Sequence, residues 1–122
     1  MADSAESMAS NKVVAIVGMA GSGKSEVARV FENEGFVKIR FGDITDEELQ
    51  KRGLPRSEEN ERTVREDLRI EYGMAAYAEL NKPKIDKTLE SANAVIDGLY
   101  SWAELVDLKQ KYGDKFSVLA VC

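Results

Sequence analysis

The stretch Gly18-Met19-Ala20-Gly21-Ser22-Gly23-Lys24-Ser25 fits the pattern G-x-x-x-x-G-K-[ST], and its flanks leave few folds open. Just before it runs Val13-Val14-Ala15-Ile16-Val17, a β-branched run that reads as a fully buried strand. After it, Lys24 to Gly35 places Val27, Val30 and Phe31 at helical spacing, with Gly35 set to stop the helix. Strand, glycine loop, helix is the context in which this pattern has a mechanism. Gly18, Gly21 and Gly23 remove side chains and permit unusual φ values, so consecutive backbone N–H groups can converge on a polyphosphate. The helix N-terminus adds partial positive charge. Lys24 can reach the β- and γ-phosphates, and the Ser25 hydroxyl can ligate Mg²⁺. Gly18, Gly21, Ser22, Gly23, Lys24 and Ser25 are therefore the expected nucleotide cradle. The alternative is a flexible glycine turn with an accidental lysine, which the ordered flanks disfavour.

The rest of the chain alternates strands and helices. Phe36 to Phe41 reads as a second strand ending at Gly42-Asp43, and Thr45-Asp46-Glu47-Glu48 is a capping-box pattern opening a short helix that Gly53-Leu54-Pro55 terminates. Ser57 caps a predicted long helix whose stripe is Val64, Leu68, Ala75, Ala76 and Leu80, with Gly73 as a weak point. A short amphipathic piece is expected at 85–89, and Ala94-Val95-Ile96-Asp97 as a third strand. Ser101-Trp102-Ala103-Glu104 is another capping box, Gly113 ends that helix, and Phe116 to Val121 is the fourth strand. Such alternation implies an α/β three-layer fold, a mostly parallel sheet of about four strands with helices on both faces. Right-handed crossovers bring the loop, Gly42-Asp43 and Asp97-Gly98 to one carboxyl edge of the sheet.

Candidate chemistry gathers at that edge. Asp97 ends an apolar strand, where an acid can hold Mg²⁺; the alternative is an ordinary turn with Gly98. Asp43 either orients an acceptor hydroxyl as a base or forms an Asx turn. Arg62, Arg65 and Arg69 share one face of the long helix and could grip an acceptor phosphate in bidentate fashion, or pair with Glu58, Glu61 and Glu66 along it. Asn81-Lys82-Pro83-Lys84 resembles the guanine-reading N-K-x-D motif but carries Lys84 where the aspartate belongs, which argues against a GTPase.

Composition narrows the classes further. The 122 residues support one domain, 43% of them are apolar, and the net charge is −5. No basic tract points to nucleic acid, and no apolar run approaches the ~18 residues of a membrane span. The chain has no histidine, so neither a His base nor a His metal ligand is available. Cys122 is the single cysteine, which fits a reducing, cytoplasmic setting, and residues 1–11 read as a disordered leader.

Gly18–Ser25, Gly42-Asp43, Glu71 to Ala76 and Val95-Ile96-Asp97-Gly98 together resemble P-loop nucleoside-monophosphate kinase-like proteins, above all the adenylate-kinase-related and dephospho-CoA-kinase-like ones of archaea. The resemblance covers roughly residues 12–122 and implies transfer of the ATP γ-phosphoryl group to a small-molecule phosphate acceptor. It implies that Lys24 and the loop hold ATP, that Ser25 with Asp97 places Mg²⁺, and that Asp43, Arg65 and Arg69 face the acceptor in a region of about 42–92. Three departures stand beside it. No arginine follows Asp97-Gly98, acids follow Gly42-Asp43 where an arginine is usual, and the lid and last strand of such kinases are not expected within this chain. A nucleotide-binding module without efficient turnover is the alternative, and an uncovered last strand would favour a homodimer or a partner.

Overall fold

The computed structural model describes residues 11–19, 21–99 and 101–121. Residues 1–10 of the expected leader, Ala20 of the loop, Tyr100 and Cys122 lie outside them. Asn11, expected in the leader, is instead tied to the fold: its Nδ2 donates to the Leu89 carbonyl at 2.7 Å.

The first strand, β1, is Val13–Gly18, and α1 follows as Lys24–Asn33. Then come β2 (Val37–Arg40), α2 (Asp43–Arg52), α3 (Glu58–Tyr72), α4 (Ala76–Leu89), β3 (Ala94–Asp97), α5 (Trp102–Tyr112) and β4 (Phe116–Val121). The four strands form one parallel sheet in the order β2-β3-β1-β4. Period-two alternation sorts their side chains onto two faces. Val13, Ala15, Ile39, Ala94, Ile96 and Phe116 point to the side covered by α2–α5 and join one large core with Leu108, Val64, Tyr77 and Ile85. Ile16 and Val95 point the other way and pack on Ala28 of α1. This is the expected three-layer arrangement. On β4, Val118 and Leu119 remain exposed. Among the described residues, no helix is long and apolar enough to cross a membrane.

Several local expectations hold. Ser57 caps α3 by accepting from the Asn60 N–H, and Ser101 and Glu104 form the reciprocal capping box of α5. Gly53 ends α2 in a left-handed conformation.

Others are corrected. The long helix does not run through Gly73: that residue turns at φ 89°, so Ala75, Ala76 and Leu80 belong to the next segment and its helix. The piece expected at 85–89 is the end of that same helix, which tolerates Pro83 on an exposed side where the carbonyl it leaves unbonded can meet water. Thr45 is not a cap. The helix starts two residues earlier behind Gly42, and Thr45 is buried within it. Of the expected helix ion pairs, only Arg62–Glu58 forms, at 3.7 Å.

Candidate functional site

The glycine loop joins β1 to α1 in a conformation its sequence demands. Gly21 and Gly23 lie at φ 81° and 94°, where any side chain would be strained. Gly18 is required for space: a Cβ there would meet the Val121 carbonyl at 2.5 Å and Ser22 Oγ at 2.9 Å. The loop closes through Ser22 N–H to the Met19 carbonyl at 3.1 Å. Among the described residues no side chain caps α1, whose N-cap is Gly23, so its first turn offers free backbone donors. Lys24 Nζ folds back to donate to the Gly18 carbonyl at 2.7 Å. Ser22 Oγ is buried with no hydrogen-bond partner among the described residues. An orphaned hydroxyl and an uncapped helix start in the same loop form a cradle with capacity to spare for an oxyanion.

Sheet register sets the acids beside this loop. β3 lies next to β1 with Asp97 opposite Ile16, two residues before Gly18. On its other side Asp97 faces Arg40 of β2, and the Asp97 carbonyl accepts from the Phe41 N–H at 3.0 Å. Asp43, the first residue of α2, stands 4.0 Å from Arg40 Nη1. The structure thus brings the loop, Asp97 and Asp43 to one edge, as strand alternation predicted. Ser25 is exposed at the start of α1. Among the described residues, no group of three or more His, Cys, Asp or Glu could hold a metal ion by itself.

The three arginines of α3 part company. Arg62 is exposed and paired with Glu58. Arg65 faces a cavity of about 170 Å³ beside the N-terminus of α2, which Arg40 and Arg56 also line. Arg69 lies over the Tyr77 ring at 5.9 Å with its Nε buried and without a hydrogen-bond partner among the described residues. Tyr77 itself is fully buried and shares a 2.6 Å hydrogen bond with Thr45. Burial pushes its phenol up, while the Thr45 hydroxyl and the charges of Arg65 and Arg69 pull it back.

Sequence reasoning missed four of these positions. Arg40 was detectable in principle, as a charge ending a strand at the same level as Asp97. Arg56 sits in a loop with no local signal, and Thr45 and Tyr77 resemble a cap and a core aromatic until the fold joins them.

Comparison with known proteins agrees with this architecture. A family profile described as an AAA domain matches residues 14–120. The chain is 37% identical over 111 residues to a UPF0200 protein of Thermococcus sibiricus, covering 89% of this chain and 58% of that one. A UPF0200/UPF0201 protein of Archaeoglobus fulgidus is 39% identical over 111 residues, covering 90% and 34%. A UPF0200 protein of Thermococcus kodakarensis is 42% identical over 94 residues, covering 76% and 51%. The chain therefore spans less than two thirds of each of these relatives. The matches support a P-loop, kinase-like class that points to nucleotide binding, and do not single out adenylate or dephospho-CoA kinases. With the profile matching nearly the whole sheet and its glycine loop, the chain belongs to the AAA domain family.

Proposed function

We propose that residues 12–122 form a nucleotide-binding domain that holds ATP with Mg²⁺ at Gly18–Ser25 and transfers the γ-phosphoryl group to a small-molecule acceptor, a nucleotide or dephospho-CoA-like compound, bound within 42–92. The observation that carries this reading is the loop itself, with its uncapped helix start, its orphaned Ser22 hydroxyl and Lys24 resting on the Gly18 carbonyl. Bound phosphate gives each of these a partner.

The donor set suits the metal. Ser25 offers a hydroxyl and Asp97 a carboxylate, hard oxygen ligands of the kind Mg²⁺ takes while keeping waters and nucleotide oxygens in its shell. When bound, Mg²⁺ neutralises charge on the phosphates. The chain's own groups do the positioning. Backbone N–H groups of the loop fix the phosphate chain, and Lys24 exchanges its carbonyl contact for the β- and γ-phosphates. In the transfer, an acceptor oxygen bonds to the γ-phosphorus as the bond to the ADP oxygen breaks. Asp43 takes the proton when the acceptor is a hydroxyl, and Arg65 and Arg69 hold the acceptor.

Calorimetry with Mg-ATP tests the loop: Lys24→Ala should lower affinity at least about tenfold with little change in stability, because the Lys24 ammonium is held by an exposed hydrogen bond to the Gly18 carbonyl. Equal affinity in both proteins refutes the assignment. A coupled assay over AMP, CMP, UMP, GMP and dephospho-CoA then tests transfer. Tight ATP binding with no turnover on any acceptor would favour a binding module instead.

A further inference from the structure

The sheet has two edges, and they are finished differently. β2, at one edge, is four residues long and carries the exposed charges of Lys38 and Arg40. Such charges keep an edge strand from pairing with another chain. β4, at the other edge, is Phe116-Ser117-Val118-Leu119-Ala120-Val121, without a charge or a proline in a chain of net charge −5. Among the described residues only β1 pairs with it, so its outer row of N–H and C=O groups meets no strand. Its apolar side chains are open on both faces of the sheet. Val118 is exposed on the side of α5, and Leu119 on the side of α1.

α5 extends that surface. It connects two parallel strands, so it runs antiparallel to them, and Trp102, Val106 and Lys109 lie along its flank beside Phe116 and Val118. Trp102, at the carboxyl edge of the sheet, is 77% exposed, and Lys109 stands about two turns away toward the amino edge. Among the described residues no acid lines this groove. A second copy of the chain matches it. A two-fold axis perpendicular to the sheet sets β4 antiparallel to the β4 of the other copy and keeps both α5 helices on one face. Two uncharged strands then meet, without the repulsion that two acidic chains feel over the rest of their surfaces. Because the copies run in opposite directions, Trp102 of each comes opposite Lys109 of the other, an indole against an ammonium.

We propose that β4 and the Trp102 flank of α5 form a self-association surface, through which two copies join their sheets into one with β4 paired to β4. One strand edge and one helix flank on each copy supply fewer than the ~20–30 residues a side of a standard interface, so the dimer is weak, with Kd in the micromolar range. The Val121 carbonyl of β4 lies 2.5 Å from where a Gly18 Cβ would stand, so the strand that pairs also abuts the phosphate loop. The pairing itself is independent of the ATP-site reading and is measured without nucleotide.

The test is analytical ultracentrifugation of the nucleotide-free chain, with Trp102 fluorescence followed over the same concentrations. Trp102 is the only tryptophan, so its emission reports this surface alone. A monomer–dimer equilibrium is expected, with emission moving to shorter wavelength as the dimer forms. Val118→Lys places a charge on the unguarded edge and should weaken the dimer at least about a hundredfold. Trp102→Ala should weaken it about tenfold, and Lys109→Glu about fivefold. Trp102 and Lys109 are exposed, so their variants read association without a folding defect, and circular dichroism checks the fold of Val118→Lys. A chain that stays monomeric up to about 1 mM overturns the proposal. So does a dimer that these variants leave intact, or one whose formation leaves Trp102 emission unchanged, because it forms through another face. A monomer whose Trp102 emits as a buried indole at every concentration overturns it as well, since the groove is then filled by its own chain.

Discussion

The two faces of the sheet are built differently. On one, α2–α5 bury Tyr77, Ile85, Ile96 and Leu108 completely, together with Asn81 and Glu104. On the other, α1 buries Ala28 against Ile16 and Val95 with Val27 and Phe31 partly buried beside them, and Val30 stays 61% exposed. The thin face is the one whose helix begins at the glycine loop. Packing through Val27, Ala28 and Phe31 pins the helix to the sheet while leaving the backbone donors at its N-terminus uncapped. The thick face has the opposite task. It holds β2, α2 and α3 in a fixed relation, so that Asp43, Arg40 and Arg65 arrive from separate elements at one place. Ligand-facing backbone is kept open where little is packed, and side-chain geometry is fixed where much is.

The sharpest way to break this comparison is a matched pair of truncations. Leu108→Ala on the thick face should cost about 2–5 kcal/mol, because a fully buried leucine leaves a cavity its neighbours cannot refill. Val30→Ala on α1 should stay within about 0.5 kcal/mol. Urea unfolding measures both. Equal losses would mean that α1 carries more of the stability than its burial shows.

Gly18→Ala attacks the thin face where it is tight. The added methyl would sit 2.5 Å from a backbone oxygen of β4, which cannot rotate away, so a loss of about 1–3 kcal/mol is expected together with loss of nucleotide binding. A stable Gly18→Ala protein with normal binding would show that β4 is free to move away from the loop.

On the thick face, the Thr45–Tyr77 bond ties α2 to α4. Tyr77→Phe leaves a buried Thr45 hydroxyl unpaired and should cost about 1–3 kcal/mol, whereas adding Thr45→Val to it should restore part of that loss. A double-mutant cycle reads the coupling directly. No coupling would mean that α2 is held by its apolar contacts alone, through Ile44 and Leu49.

How much of this was legible beforehand differs between the same two faces. The loop, β1 and α1 are contiguous, so a local pattern contained nearly all of that geometry. Ser57 and Ser101 were equally readable, since a cap is a contract between residues three apart. The thick face depends on contacts across the chain. Gly73 in a helical stripe costs only about 1 kcal/mol, so the apolar periodicity on both sides of it concealed a true break. Thr45-Asp46-Glu47-Glu48 satisfies the capping-box pattern, yet β2 ends early enough for Gly42 to start the helix, and Tyr77 supplies a partner for the threonine from 32 residues away. The arginine cavity is the extreme case: Arg40, Arg56 and Arg65 come from a strand, a loop and a helix, and only the packed core brings them together.

The smallest expected effect is also the most discriminating. Arg62 and Arg65 are three residues apart on α3 and chemically identical, yet one faces solvent and the other the cavity. Arg62 is 3.7 Å from Glu58 in a pair whose side chains are 62% and 83% exposed, a geometry worth about 0.3–0.5 kcal/mol at most. Arg62→Gln should therefore change neither the unfolding midpoint by a measurable amount nor the binding of the acceptor. Arg65→Gln should leave stability within about 0.5 kcal/mol as well, since among the described residues no ion pair or hydrogen bond is lost with its charge, which acts on Tyr77 only through space. The two variants should then look alike in urea and separate only when the acceptor is added. If Arg65→Gln proves clearly destabilising, its guanidinium is part of the packed face and not of a ligand site. If both variants weaken acceptor binding equally, the effect is the general field of α3, which salt would screen, and the cavity has no special claim on the arginine that lines it.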